Sequence, residues 1–255
     1  DTRFYGCKAQ GRPAALLVPT EFGFRVINPG KLAAHEVFSL DAPEMDEFEL
    51  PLDRDVSRLA LSRIDSIELL YGVNRSLVFW ANTHQNAIYR LEIENDIADA
   101  LYTHHSGDKV KRPEPKLIGE PIVFNDAQNH TELGSISADW IHRNVYFIAA
   151  ANIWVASIDN TPQQVKLVVK ASDLARPQDI AVDPINHWIF WSDWSHALAN
   201  SHIKIGRARL DGSAVRSLLS SDFEWPLALV ADGESRRLYW IDPKISVIDT
   251  MRYDG

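Results

Sequence analysis

In the second half of the chain, apolar residues come in short runs that end on an aspartate, pass through a turn and resume as an aromatic run. Three copies of this pattern align. Ile136-Ser137-Ala138-Asp139-Trp140 leads to Val145-Tyr146-Phe147-Ile148; Ile180-Ala181-Val182-Asp183-Pro184 leads to Ile189-Phe190-Trp191-Ser192-Asp193; and Leu229-Val230-Ala231-Asp232-Gly233 leads to Leu238-Tyr239-Trp240-Ile241-Asp242. Each copy predicts an apolar strand, a polar turn and an aromatic strand. An alternating strand follows at 203–210, closed by the turn dipeptide Asp211-Gly212, and residues 215–219 supply an outermost strand. The aspartate anchors stand 44 and 49 residues apart. Four strands in about 45 residues make a propeller blade, so the expected fold class is all-β. Leu77-Val78-Phe79-Trp80-Ala81-Asn82 is a more degenerate fourth copy.

The period breaks at 96–120, where Tyr102, His104, His105, a charged centre, Pro113 and Pro115 occur together. This stretch predicts an insertion on a blade rim, loop-like apart from a short helix around 96–102.

Composition narrows the function classes. The net charge of −9 argues against a nucleic-acid partner, since phosphate binding needs clustered Lys and Arg, and the basic run at 109–112 is flanked by Asp108 and Glu114. No apolar run approaches the roughly 18 to 20 residues of a membrane span. The chain opens at Asp1 without a basic and apolar leader, so any anchor or signal is expected outside it. No Gly-x-Ser-x-Gly elbow, phosphate-binding glycine loop, His-Glu-x-x-His pair or zinc-type Cys/His spacing is present, so an enzyme is not expected. The single cysteine, Cys7, lies ahead of the first apolar run; it is either a free thiol or half of a disulfide whose partner lies upstream.

The spaced motifs Phe190-Trp191-Ser192-Asp193 and Tyr239-Trp240-Ile241-Asp242, each preceded by its apolar strand and aspartate, resemble the YWTD repeat, the class B repeat of the LDL receptor family. The resemblance runs from about Ala15 to Gly255 and implies a six-bladed YWTD β-propeller, of which about four blades are present in this chain. It departs at Phe147, where the family has Trp, and at Asn82, where it has Asp. Cys7-Lys8-Ala9 resembles the end of an EGF-like module, which implies a domain division of 1–9 and 10–255 and a disulfide from Cys7 to a cysteine outside the chain. Such propellers belong to endocytic lipoprotein receptors and yolk-protein receptors, and to Wnt co-receptor-like, sevenless-like and nidogen-like proteins. A calcium-dependent propeller hydrolase is the alternative from another class.

Trp80, Phe147, Trp191 and Trp240 recur at blade pitch, as packing between blades requires. The recurring aspartates stand beside turns whose N–H groups need acceptors. The irregular residues are the candidates for function. Trp194 and Trp225 fall in loops outside the repeating aromatic slot, where an aromatic serves as an interface anchor. By resemblance these two and Lys244 match the propeller face on which acidic, calcium-loaded class A modules dock. Protein ligands such as lipoproteins, or class A modules of the same receptor, are therefore the expected partners, with calcium in flanking modules and no cofactor in this segment. His187, His196 and His202 surround the Trp191 strand and are candidates for acid-pH sensing, although Ser246 stands where the LDL receptor carries a histidine. Asn74 and Asn129 open glycosylation sequons, consistent with an extracellular receptor ectodomain.

Overall fold

The structure, a computed structural model, describes residues 5–7, 15–20, 23–27, 48–51, 64–70, 75–83, 85–94, 116–117, 122–123, 133–159, 164–170, 174, 176–193, 204–220 and 226–255. Every regular element among them is a strand, and each strand is antiparallel to its neighbours. No helix among the described residues is long and apolar enough to cross a membrane. The chain divides into two compact units, Asp1–Val123 and Phe124–Gly255.

In the first unit, β1 (Tyr5–Cys7), β2 (Ala15–Thr20), β3 (Gly23–Ile27) and β4 (Phe48–Pro51) form one sheet. It precedes the four sheets that the aromatic motif marks. Cys7 lies on its edge strand, paired with Ala15. The second sheet comprises β5 (Ile64–Leu70), β6 (Arg75–Asn82), β7 (Ala87–Glu94) and the short β8 (Lys116–Leu117), with β9 (Ile122–Val123) also on β7. The insertion at 96–120 thus ends by supplying the outer strand of this sheet; the helix expected at 96–102 lies outside the described residues.

The second unit repeats one plan three times. Its sheets are β10 (Leu133–Asp139), β11 (Asn144–Ala149), β12 (Asn152–Ser157) and β13 (Val165–Val169); then β14 (Pro177–Asp183), β15 (Trp188–Asp193), β16 (Lys204–Arg209) and β17 (Arg216–Ser220); then β18 (Leu227–Asp232), β19 (Arg237–Asp242) and β20 (Val247–Arg252). Neighbouring sheets meet through their first strands, β10 beside β14 and β14 beside β18. Apolar side chains of alternating direction fill the space between sheets. Tyr146, Ile148, Ile153, Ile180, Ile189 and Trp191 pack between the first two sheets, and Ala181, Phe190, Ile205, Leu229, Leu238, Trp240 and Tyr253 between the last two. Trp191 and Trp240 each face the preceding sheet, while Phe190, one residue before Trp191, faces the following one. The aromatic period is therefore a packing period. Trp191 lies flat over its cross-strand partner Gly206, where a Cβ would stand 2.4 Å from the ring, so only glycine fits there.

A bulge recurs in the first strand of each motif-bearing sheet, between Ile64 and Ser66, Leu133 and Ile136, Pro177 and Asp179, and Leu227 and Val230. Bulges re-aim side chains. Here that brings Asp179 into a bridge across three sheets: its carboxylate accepts the hydroxyl of Ser135 on β10 and the Leu229 N–H of β18 at 2.7 Å.

Candidate protein-binding face

The strand-end acids close turns. Asp139 accepts the N–H groups of Ile141 and His142 at 3.0 and 2.9 Å, Asp183 those of Ile185 and Asn186, and Asp232 those of Glu234 and Ser235. Each of these turns ends on a left-handed residue, Arg143, His187 or Arg236, with φ of 58°, 60° and 53°. Asn82 accepts the Gln85 N–H at 3.0 Å, so an amide oxygen does there what a carboxylate does elsewhere. The Ser235 hydroxyl, first, and the turn N–H groups hold the Asp232 carboxyl below its usual range. These acids are consumed by the backbone, and among the described residues no cluster of three His, Cys, Asp or Glu could hold a metal ion.

Strand directions sort the functional candidates. Asp179 of β14 bonds Leu229 of β18, and Asn186, after β14, donates to the Gly233 carbonyl, after β18, at 2.8 Å. The two first strands therefore run parallel, and the end of β15, the start of β18 and the β19–β20 turn share one end of the unit. Lys244 is exposed in that last turn. Its backbone N–H donates to the buried carboxylate of Asp242 at 3.0 Å, and Ser246, with φ of 56°, completes the turn. Trp194 directly follows β15 and Trp225 stands two residues before β18, so the chain is delivered to the Lys244 end at both places. Trp194 and Trp225 themselves lie outside the described residues, as do His196, His202, Asn74, Asn129 and the side chain of Cys7.

His187 belongs to the opposite end, in the β14–β15 turn. Its ring lies 5.6 Å from that of His142 in the neighbouring turn, and the His142 Nδ1 is 2.8 Å from Asp139 Oδ2. The linear sequence does not reveal this pair, because the two histidines occupy different positions of their turns. Asp179 is hidden for a similar reason: equivalent positions hold Ser66, Ser135 and Ala228, and only the bulge reveals the shared geometry. A third feature is the hydroxyl of Tyr146, which donates to the Leu210 carbonyl of the next sheet at 3.1 Å. Burial pushes this phenol well above its ordinary range, and the charges of Asp139 and Asp211 add to the effect.

Residues 188–232 match the low-density lipoprotein receptor repeat class B. The chain is 32% identical over 186 residues to the vitellogenin receptor of Solenopsis invicta, covering 73% of this chain and 9% of that receptor. It is also 32% identical over 120 residues to the vitellogenin receptor Yl of Drosophila melanogaster, covering 47% of this chain and 6% of that protein. The chain thus spans less than a tenth of the length of these relatives. Among solved structures, a β-propeller chain of the nidogen/laminin complex superposes with a TM-score of 0.58 at 20% identity, covering 89% of this chain and 70% of that one. That likeness is one of fold: the antiparallel sheets are blades.

Proposed function

Taking this chain as an all-β propeller of the low-density lipoprotein receptor class B repeat family, we propose that it is an extracellular protein-binding module of an endocytic, lipoprotein-receptor-like protein. The observation that carries this reading is the exposed turn of Lys244 at the same end of the unit as the last residue of β15, Asp193, and the first residue of β18, Leu227. An ammonium group on a turn fixed by a buried carboxylate, with Trp194 next after β15 and Trp225 two residues ahead of β18 in the sequence, suits a partner that offers clustered carboxylates beside apolar surface. An acidic class A module carrying calcium has that character. A lipoprotein or a yolk protein, the ligand class named by the insect receptors, is the external counterpart. The wider reading places the module in the ectodomain of a single-pass receptor, with Cys7 oxidised to an upstream cysteine and glycans at Asn74 and Asn129. Histidine protonation then tunes release in endosomes, where the unperturbed imidazole pKa is crossed.

The test is binding of the receptor ectodomain to a calcium-loaded class A module. Lys244→Ala should weaken binding most at low salt, whereas Trp194→Ala or Trp225→Ala should weaken it at any salt, because apolar burial is not screened. Each tryptophan change should cost about 2 kcal/mol or more. Unchanged binding in all three variants, at neutral pH and at about pH 5.5, would refute the assignment.

A further inference from the structure

The end of the second unit opposite Lys244 carries a surface that neither blade packing nor the face proposed above uses. Two neighbouring turns, joined by the His142 and His187 rings, leave Trp140 53% and Ile185 57% exposed, with Ile141 beside them. Single exposed apolar residues are ordinary, but an exposed indole grouped with two isoleucines at adjacent turn tips is the composition of a binding surface.

Cations border this apolar group. Trp188, at the start of β15, lies under two guanidinium groups, with Arg209 Cζ 3.8 Å and Arg207 Cζ 4.3 Å from the ring centroid. Arg216 on β17 stands directly across from Arg207. All three donate to backbone carbonyls: Arg209 to Asn186 and Arg216 to Asp254, each at 3.3 Å, and Arg207 to Tyr253. None of the three forms an ion pair among the described residues. Of the acids nearby, Asp211 is held by the N–H of Ser213, and Asp254 turns its carboxylate to Arg252 at 3.4 Å. Burial, first, and then the charges of Arg216 and Arg209 push the Arg207 guanidinium below its ordinary range, against the smaller opposing pull of Asp254. In a chain of net charge −9, three arginines are thus gathered against their mutual repulsion, two of them over one aromatic ring, with Asp254 and Asp211 acting on Arg207 and Arg209 through space and no carboxylate hydrogen-bonded to any of the three.

Guanidiniums with no carboxylate hydrogen-bonded to them have donors to spare for an anion. The apolar group decides which kind: a sulfated polysaccharide would engage the arginines and leave Trp140, Ile141 and Ile185 in water, whereas an acidic polypeptide segment with apolar residues satisfies both. The Arg209 bond to the Asn186 carbonyl ties the cation cluster to the turn that bears Ile185, so one short segment spans the two. We propose that this end binds an acidic, apolar-bearing peptide segment of a protein partner, with carboxylates on Arg209 and Arg216 and an apolar side chain against Trp140 and Ile185.

Fluorescence polarisation on the full chain tests this, with a short labelled peptide of repeated Asp-Leu-Glu as probe and heparin and an Asp-Gly-Glu repeat as competitors. The probe should bind, and the competitors should displace it poorly. Joint Arg209→Glu and Arg216→Glu should weaken binding by about tenfold or more, because each close charge pair becomes a repulsion. Joint Trp140→Ser and Ile185→Ser should weaken it by a comparable factor of about ten. A Lys-Leu-Lys repeat should bind the charge-reversed variant and not the native chain, which separates recognition from misfolding. Failure of the probe to bind, full displacement by heparin or by the Asp-Gly-Glu repeat, or indifference to both double substitutions would overturn the proposal.

Discussion

The β14–β17 and β18–β20 sheets carry the same face and treat it differently. On the first, Ala181, Phe190 and Ile205 point toward the following sheet and are buried, Phe190 at 0% exposure and Ile205 at 1%. On the second, cross-strand register places Val230, Tyr239 and Ile248 at the matching positions, yet Val230 is 59% and Ile248 75% exposed. The sheet before both agrees with the covered case, since Tyr146 and Ile153 are buried against β14–β17. An apolar stripe on a strand is therefore an offer of packing. It is core where a neighbouring sheet's first strand lies alongside, as β14 does for the β10–β13 sheet and β18 for the β14–β17 sheet, and the same kinds of residue contribute stability or association accordingly.

Truncation should separate the two faces most strongly. Phe190→Ala removes a ring that stands 4.5 Å from that of Tyr253 and packs against both sheets, and should cost about 3 to 5 kcal/mol in chemical denaturation. Tyr239→Ala, the matching change on the uncovered face, should cost less than about 1 kcal/mol. Equal costs would show that the two faces are energetically alike and would remove the basis of the comparison.

A second contrast concerns the bridge between sheets. Asp179→Ala leaves the Leu229 N–H and the Ser135 hydroxyl buried without the carboxylate they bond, which should destabilise the fold by about 1 to 3 kcal/mol. The position equivalent to Asp179 on the β18–β20 sheet is Ala228, whose methyl group accepts no hydrogen bond. Ala228→Gly, at φ of 52°, should by contrast be neutral or slightly stabilising, because glycine accepts a left-handed backbone. Melting curves of the two variants check this pair.

The folded Asp232 carboxyl lies below its ordinary range, so its contribution is present above the unfolded carboxylate pKa of about 3.9 and is lost as pH falls through the folded value. Asp232→Asn should keep the turn, as Asn82 does in its own turn, and change stability at neutral pH by no more than about 0.5 kcal/mol. It should also flatten the acid limb of the stability profile below about pH 4. A steep acid limb retained in Asp232→Asn would place the titrating group elsewhere.

Part of this architecture is legible in the order of residues alone. The anchors at Asp139, Asp183 and Asp232, the turns after them and the aromatic strand each obey a local rule that recurs at blade pitch. The sheet at β1–β4 has no aromatic motif, and Pro19 interrupts the donor pattern of β2, so its role as a further sheet has no comparable signal. The bulges are invisible in the chain's pattern because inserting one residue alters register without altering composition. Lys244 is readily placed because a turn of known length presents it. The stack of Arg207, Trp188 and Arg209 depends on one strand's register against another across a long connection, which residue order does not specify. Nor does the pattern of Val230, Tyr239 and Ile248 tell whether their face is covered, since covered and uncovered faces share it.

The most direct measurement is sedimentation velocity of the chain beside a variant with Ile241→Ser and Ile248→Ser. These two residues are cross-strand partners and exposed, Ile241 at 43% and Ile248 at 75%. The native chain is predicted to associate as its concentration rises, through apolar surface of the kind that its other sheets bury. The variant should sediment as a monomer and keep its cooperative melting transition. A native chain that stays monomeric over the same range, or a variant that loses its transition, would contradict the claim that this exposed apolar face offers packing surface.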